Sequence, residues 1–446
     1  MASLKAWLES RNTDDKSTVR LLIMGYFLLT LLCFLILILP ISQKSDNSIV
    51  NHLFFAASIV STTGLAPADF GQSYNLLGQL VSLLFIQLGG IGYMALSSFI
   101  ILKHPTRLPG ISARLLKIEF NLPQRYPFLS FIYSVFIFTI LIEAIGAILL
   151  TIGFREAGIE SPVWSGIFHS VSAFCTAGFS LFNDSMTTFS DYPIITNTIL
   201  VLSLLGSIGF IVLLDFWLRL IRKRKTVTLT TKIILTGTFI FWIFGALAIF
   251  FADNDLISQG WKGLKYSIFQ SISAHTTVGF NNYDISTIHL GGILVMIVLM
   301  VIGASPAGTG GGIKTTSISA IFSVLISVLK RRQHITFFGS EIPASNIYLA
   351  VSSAIFYTFI MIVGTWILLM IDGDRFTFDQ ILFEVSSALS TVGLSTGITG
   401  SLSDWSKVTI SVLMFIGRLG VLTFGFALIA KAPQLRLKPK IEDIAI

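Results

Sequence analysis

Four short stretches of this 446-residue chain align without a gap: FFAASIVSTTGLA from Phe54, FHSVSAFCTAGFS from Phe168, FQSISAHTTVGFN from Phe269 and FEVSSALSTVGLS from Phe383. Each has Phe ten residues before a glycine (Gly64, Gly178, Gly279, Gly393), Ser six before it (Ser58, Ser172, Ser273, Ser387) and Thr two before it (Thr62, Thr176, Thr277, Thr391). The residue between Thr and Gly varies: Thr63, Ala177, Val278, Val392. Small hydroxyl residues closing on a glycine offer oxygen ligands. Pointing successive carbonyls to one side needs backbone angles near or beyond φ > 0, which glycine visits cheaply, and the Thr can add a hydroxyl oxygen. A ring of such oxygens can replace the water shell of a dehydrated monovalent cation. One S/T-x-G alone would mean a turn or a cap; four copies in register, at intervals of 114, 101 and 114 residues, point to a shared role.

The elements that must carry these stretches are legible around them. The segment before each glycine is about ten residues, too short to span a bilayer, for which ~20 residues are needed; it reads as a half-helix that dips in and returns as extended chain. Irregular backbone at that depth survives only when buried in protein or lining a watery cavity. Its C-terminal, partly negative end then favours a cation at the point of convergence. Two apolar runs flank every motif: the first over 21–42, 128–152, 233–252 and 347–371, the second over 76–102, 194–218, 288–302 continuing through 313–329, and 407–430. The spacing predicts an all-α integral membrane protein of four tandem span, re-entrant loop, span repeats. Its eight transmembrane helices surround one pseudo-four-fold central pore.

Composition agrees, with 53% hydrophobic and only 12% charged residues, against roughly 25% charged in a soluble domain. The run Leu21 to Ile41 is too long for a signal-peptide core and lacks a small-residue cleavage site. Cys33 and Cys175 both lie among apolar residues, so no disulfide framework is implied. The net charge of +7 comes from short basic clusters between apolar runs, the pattern of topology signals rather than of nucleic-acid binding. Of 30 Lys and Arg, 22 fall in the termini and the loops between repeats, which makes both termini cytoplasmic, in a multi-pass protein of the cell membrane. No paired carboxylates, His cluster or nucleophile with a base suggests an enzyme.

The second run of the third repeat reads GASPAGTGGGIKTT, and Pro306 with Gly308, Gly310, Gly311 and Gly312 removes helix hydrogen bonding and helix propensity together. Only there is the span expected to fail. GTGGGIKT is not a phosphate loop, because Ile313 stands where glycine must precede the lysine and no strand leads into it. Arg418, in the fourth second run, is a costly charge in hydrocarbon and a functional candidate by default. Lys314 snorkels or holds a structural hydrogen bond. Glu143 lines a vestibule or pairs within the bundle, Asp215 is expected to pair with neighbouring arginines, and Glu384 to hold its half-helix in place. His275 has no companion His or Cys, which argues against a metal ligand.

These motifs and their four-fold arrangement resemble the superfamily of Trk, Ktr and HKT potassium and sodium transporters, most closely its Ktr membrane subunits, over nearly the whole chain. The resemblance implies a potassium uptake protein, sodium-stimulated, with potassium bound at a filter of Thr62, Thr63, Gly64, Thr176, Ala177, Gly178, Thr277, Val278, Gly279, Thr391, Val392 and Gly393. Gly64 in the first position goes with potassium, where sodium-selecting relatives carry Ser; the varied residues before each glycine imply imperfect symmetry. It implies an intramembrane gating loop at 303–316, built from Gly303, Ala304, Ser305, Pro306, Gly308, Thr309, Gly310, Gly311, Gly312 and Lys314, with Arg418 across the cavity from it. Its repeats run 21–103, 104–220, 221–332 and 333–430, between cytoplasmic ends 1–20 and 431–446. The implied partners are a second copy of the chain, the lipid bilayer and a cytosolic ring of nucleotide-binding RCK domains of the KtrA type. Potassium is cargo, sodium a possible activator, and no organic cofactor is implied. The competing reading is a sodium or mixed-cation secondary carrier with alternating access, since broken helices also hold ions in carriers; repeats of parallel rather than inverted topology favour a single central pathway.

Overall fold

A computed structural model describes residues 14–92, 128–222, 226–332 and 334–428. The basic loop around 103–127, most of the run Arg222 to Lys225, the start of the amino terminus and the tail 431–446 lie outside the described residues. In chain order the main helices are α1 (Asp14–Leu37), α2 (Ile49–Val60) and α3 (Leu76–Ile91); then α4 (Phe128–Glu156), α5 (Pro162–Phe174), α6 (Pro193–Ser207) and α7 (Phe210–Leu220). There follow α8 (Leu229–Ala252), α9 (Trp261–Thr276), α10 (Leu290–Ile302) and α11 (Thr315–Leu329), and finally α12 (Ala344–Asp372), α13 (Phe378–Leu389), α14 (Asp404–Leu419) and α15 (Val421–Leu428). One small hairpin, Thr336–Phe337 with Ser340–Glu341, departs from the all-α expectation.

The four helices α1, α4, α8 and α12 are long and apolar enough to cross a membrane. At 1.5 Å per residue a helix of 24 or 29 residues exceeds a ~30 Å hydrocarbon core. Their apolar side chains face outward: Ile140 and Ile355 are each 67% exposed. Exposed apolar surface of that extent requires lipid or another apolar partner. The short helices α2, α5, α9 and α13 sit inside this shell with their C-terminal halves buried, except for the partly exposed Val171 and Ile272. Their starts are fixed locally. Ser48 accepts from the Asn51 N–H at the start of α2, Pro162 opens α5 where its missing N–H costs nothing, and Thr377 and Gln380 form a capping box on α13.

The second apolar runs depart from expectation. The third fails after Gly303, as its proline and glycines predict, but it is not alone. α6 and α7 meet at 91°, α14 breaks from α15 at Gly420, and α3 ends at Gly92. Gly92, Gly209 and Gly420 all have left-handed φ (88°, 88° and 82°). A single glycine in a helix costs only about 1 kcal/mol relative to alanine, so its presence does not predict a break; what breaks the helix is tertiary. The space a Cβ would fill at Gly209 is taken by the Pro306 carbonyl, and the Phe210 N–H donates to Ala307 O at 2.8 Å.

Three further glycines, one in each of α3, α6 and α14, bring these helices against the ends of the short ones. A Cβ at Gly89, Gly206 or Gly417 would collide with the carbonyl of Val60, Phe174 or Leu389, in each case the residue four before a ring glycine. Overpacking such a contact costs about 1–3 kcal/mol. Gly206→Val is therefore expected to lower the melting temperature of the detergent-purified protein by several degrees. An unchanged transition would show that α6 can retreat from α5.

Candidate cation-binding site

Each short helix ends in the same local structure. Thr62 N–H donates to Ile59 O and Thr63 N–H to Ser58 O; the same pair of bonds recurs from Thr176 and Ala177, Thr277 and Val278, and Thr391 and Val392. These are the two bonds of a Schellman helix end, whose next-to-last residue must be left-handed and is usually glycine. Here it is threonine, at φ 52°, 50°, 57° and 51°. A β-branched residue in that region is an outlier costing of order 1–3 kcal/mol. The sequence reading assigned φ > 0 to the glycines alone. They have it too, at 94°, 64°, 81° and 99°, so the backbone alternates around the variable residue.

That alternation orients the oxygens. A trans peptide carries its N–H and C=O on opposite sides. Because the amide after each Thr is drawn back to its own helix, the carbonyls of Thr62, Thr176, Thr277 and Thr391 face away from it. The next carbonyls close a cycle. A Cβ at Gly64 would collide with Ala177 O, at Gly178 with Val278 O, at Gly279 with Val392 O, and at Gly393 with Thr63 O. The four segments thus stand side by side as a ring, each glycine giving way to the carbonyl of its neighbour. A side chain at any of those positions requires the neighbouring carbonyl to shift. Thr62, Thr63, Thr176, Ala177, Thr277, Val278, Thr391 and Val392 are all fully buried.

Three of the four threonine hydroxyls bond to the 303–314 segment or to Arg418, and Thr391 Oγ1 is buried without a hydrogen bond among the described residues. Arg418 Nη1 donates to Thr62 Oγ1 at 3.0 Å; Thr176 Oγ1 lies 3.0 Å from Thr309 Oγ1; Thr277 Oγ1 accepts from Gly311 N–H at 3.1 Å. A Cβ on Gly311 would strike both Ser390 O and Thr391 Oγ1. The sequence offers these hydroxyls as ion ligands, and three of them are also hydrogen-bonded to the segment or to the arginine. The same segment repairs the broken helices. Ser305 and Thr309 N–H donate to Ser207 and Gly206 O, freed at the end of α6, each at 3.1 Å. Arg418 does this for α3, donating to Gly89 O and, at 3.1 Å, to Gly90 O, while also reaching Thr309 O. Lys314 Nζ donates to Gly310 O at 2.6 Å, the structural bond expected of it. Gly303 and Gly312 pack backbone to backbone, Ala304 N–H closes on Gly311 O, and Gly308 lies against Ser207 O.

The remaining candidates lie around this centre. Glu143 is paired within the bundle: Gln87 Nε2 donates to its carboxylate at 2.9 Å, and Cys175, at the end of α5, approaches it at 3.7 Å. Glu384 accepts from Ser395 at 2.8 Å and from Thr399, so it ties α13 to the chain returning after Gly393. Asp215 accepts from the N–H and hydroxyl of Thr228 and the hydroxyl of Thr231, at the start of α8. His275 is buried against the Phe241 ring, with no hydrogen bond from either nitrogen among the described residues. In the sequence Thr309 stands only as one residue of the expected gating loop, and the Ser six before each glycine carries no assigned role. Its strict recurrence was the available signal.

Residues 48–438 match the TrkH family, described as cation transport protein. The chain is 34% identical over 430 residues to the Ktr system potassium uptake protein B of Bacillus subtilis, covering 94% of both chains. To the protein of that name from Vibrio alginolyticus it is 31% identical, over 94% of this chain and 93% of the other. It is 28% identical to the potassium/sodium uptake protein NtpJ of Enterococcus hirae, over 98% and 99%. The crystal structure of the potassium transporter TrkH from Vibrio parahaemolyticus superposes with a TM-score of 0.70 at 18% identity, over 93% of this chain and 85% of that one, a likeness of fold. With the family matched along most of its length and several helices long and apolar enough to span a bilayer, the chain is a multi-pass membrane protein and belongs to the TrkH family of cation transport proteins, not to an enzyme family.

Proposed function

We propose that this protein takes up potassium through a single central pathway, and that the ring formed by the four T-x-G segments is its selectivity filter. The observation that carries the reading is the closed cycle of glycines and neighbouring carbonyls. Four chain segments far apart in sequence present main-chain oxygens in one ring, pinned from behind by amides of the same segments. Uncharged carbonyls, held at fixed spacing, suit a large monovalent cation that gives up water at modest cost. The names of the relatives add support, since those from Bacillus and Vibrio are potassium uptake proteins.

On this reading each long helix and each broken helix crosses the bilayer, giving eight crossings in four repeats with the boundaries set out above and both termini in the cytoplasm. The segment 303–314 obstructs the pathway on the threonine side of the ring, and Arg418 holds it there. Sodium stimulates uptake, a second copy of the chain forms a homodimer, and a cytosolic ring of nucleotide-binding RCK domains acts on the obstruction. Ktr system names among the relatives imply a multi-part system.

Potassium uptake by cells lacking their own uptake systems provides the test, with Gly64, Gly178, Gly279 and Gly393 each changed to Ser. Every variant is expected to lose at least about tenfold in preference for potassium over sodium, or ~1.4 kcal/mol. Four indifferent variants would discard the filter and favour the alternating-access carrier. Arg418→Ala, by removing the donor that holds Thr309 O, is expected to raise uptake by about tenfold at equal protein level, as a barrier lower by ~1.4 kcal/mol would. Unchanged flux would show that the arginine restrains nothing.

A further inference from the structure

The four serines six residues before the ring glycines, Ser58, Ser172, Ser273 and Ser387, are identical in type, register and burial, each wholly inaccessible. Their hydrogen bonds are not identical. Ser58 and Ser387 accept from the N–H of their own glycines, Gly64 and Gly393, both at 3.1 Å. Ser172 and Ser273 instead donate to the carbonyl of the residue after the glycine, Phe179 at 2.8 Å and Phe280 at 2.6 Å. The division follows the sequence, which has Leu65 and Leu394 after the first and fourth glycines but Phe179 and Phe280 after the second and third. It also follows the ring, where the fourth segment adjoins the first and the second adjoins the third.

Each bond fixes a peptide plane, and with it the direction of a carbonyl. Drawing the Gly64 and Gly393 amides back turns the carbonyls of Thr63 and Val392 forward, into the ring. Drawing the Phe179 and Phe280 carbonyls back removes two oxygens from the layer beyond the glycines. We propose that the four serines are specificity-determining residues that divide the ring at its glycine end into two unlike halves, the fourth and first segments against the second and third. Ser172 and Ser273 withhold the outer carbonyls of their segments, and Ser58 and Ser387 commit an inner carbonyl of theirs. An approaching cation then keeps water on the side of the second and third segments before it meets the complete ring. This rests on the filter reading above.

Purified protein in liposomes, with potassium and sodium fluxes measured separately, tests it. A wild type that does not prefer potassium overturns the filter reading itself, and this inference with it. If the wild type prefers potassium, the double variant Ser172→Ala, Ser273→Ala is expected to lose about tenfold of that preference, while Ser58→Ala and Ser387→Ala slow potassium flux severalfold with a smaller change in preference. Melting temperatures accompany every flux. Should an alanine variant fail to fold, Ser→Cys at the same site leaves no cavity, weakens the hydrogen bond and is expected to shift the same quantity in the same direction. Folded Ala or Cys variants that keep both preference and rate, or that change both equally at all four sites, would overturn the two-sided assignment.

Discussion

Every main-chain amide and carbonyl held at membrane depth must find its partner inside the protein, because lipid supplies none. In a regular helix the requirement is met automatically. This chain leaves regular helix at the four T-x-G segments, at the glycine breaks and through 303–314, so it carries unusually many groups that need partners elsewhere. The solution is reciprocal. The end of α6 leaves the carbonyls of Gly206 and Ser207 exposed, and the irregular segment after α10 supplies the N–H groups of Thr309 and Ser305. Phe210, starting α7 without a preceding turn to bond to, donates to Ala307 of the same segment. Neither break would be tolerable without the other.

The same requirement explains a threonine where helix ends ordinarily place glycine. Glycine there would remove the strain of a left-handed β-branched residue. It would also remove the hydroxyl that answers Arg418, Thr309 or Gly311. With roughly 0.5–1.5 kcal/mol for an ordinary hydrogen bond and more for one from a charged donor, such a bond offsets most of the local strain of order 1–3 kcal/mol. What remains is borne by burial of the segment on all sides. At Thr62, Thr176 and Thr277 the backbone geometry of the ring and the attachment of the 303–314 segment therefore reside in one side chain.

Much of this was legible beforehand, and the limits have physical causes. Gapless repetition located all four segments, because a ring built from one chain needs the same conformation four times; long apolar runs located α1, α4, α8 and α12, because lipid-facing helices must be apolar over their full length. Pro306 with its glycines announced the third break. The breaks at Gly209 and Gly420 stayed hidden, since a lone glycine in a helix is common and the decisive contact, such as Pro306 O against Gly209, comes from a distant part of the chain. The partners of Arg418 were equally unreadable: a guanidinium in hydrocarbon demands acceptors, but Gly89, Gly90 and Thr309 accept through main-chain carbonyls, which every residue possesses and no sequence pattern marks. Asp215 shows the converse case. Nearby arginines suggest an ion pair, and no sequence pattern marks that the start of α8 also aims an N–H and two hydroxyls at the same carboxylate.

These attachments also bear on how an obstruction could be both closed and releasable. Ile313 and Ala307 anchor the 303–314 segment in apolar clusters, while its polar hold on the ring consists of hydrogen bonds to the threonines of three of the four segments, directly or through Arg418. Most are neutral hydrogen bonds of the ~1 kcal/mol class. The charged donor contributes more, and it joins three elements at once: α3 through Gly89 and Gly90, the first T-x-G segment through Thr62, and the irregular segment through Thr309. A lysine has a single ammonium, whereas the planar fork of arginine presents five donors and can hold several carbonyls together. On the proposed reading, anything that draws α14 outward moves the guanidinium away from all of these acceptors together. A few kcal/mol then separates the two arrangements, the range in which a bound ion or a partner can shift the population from one to the other.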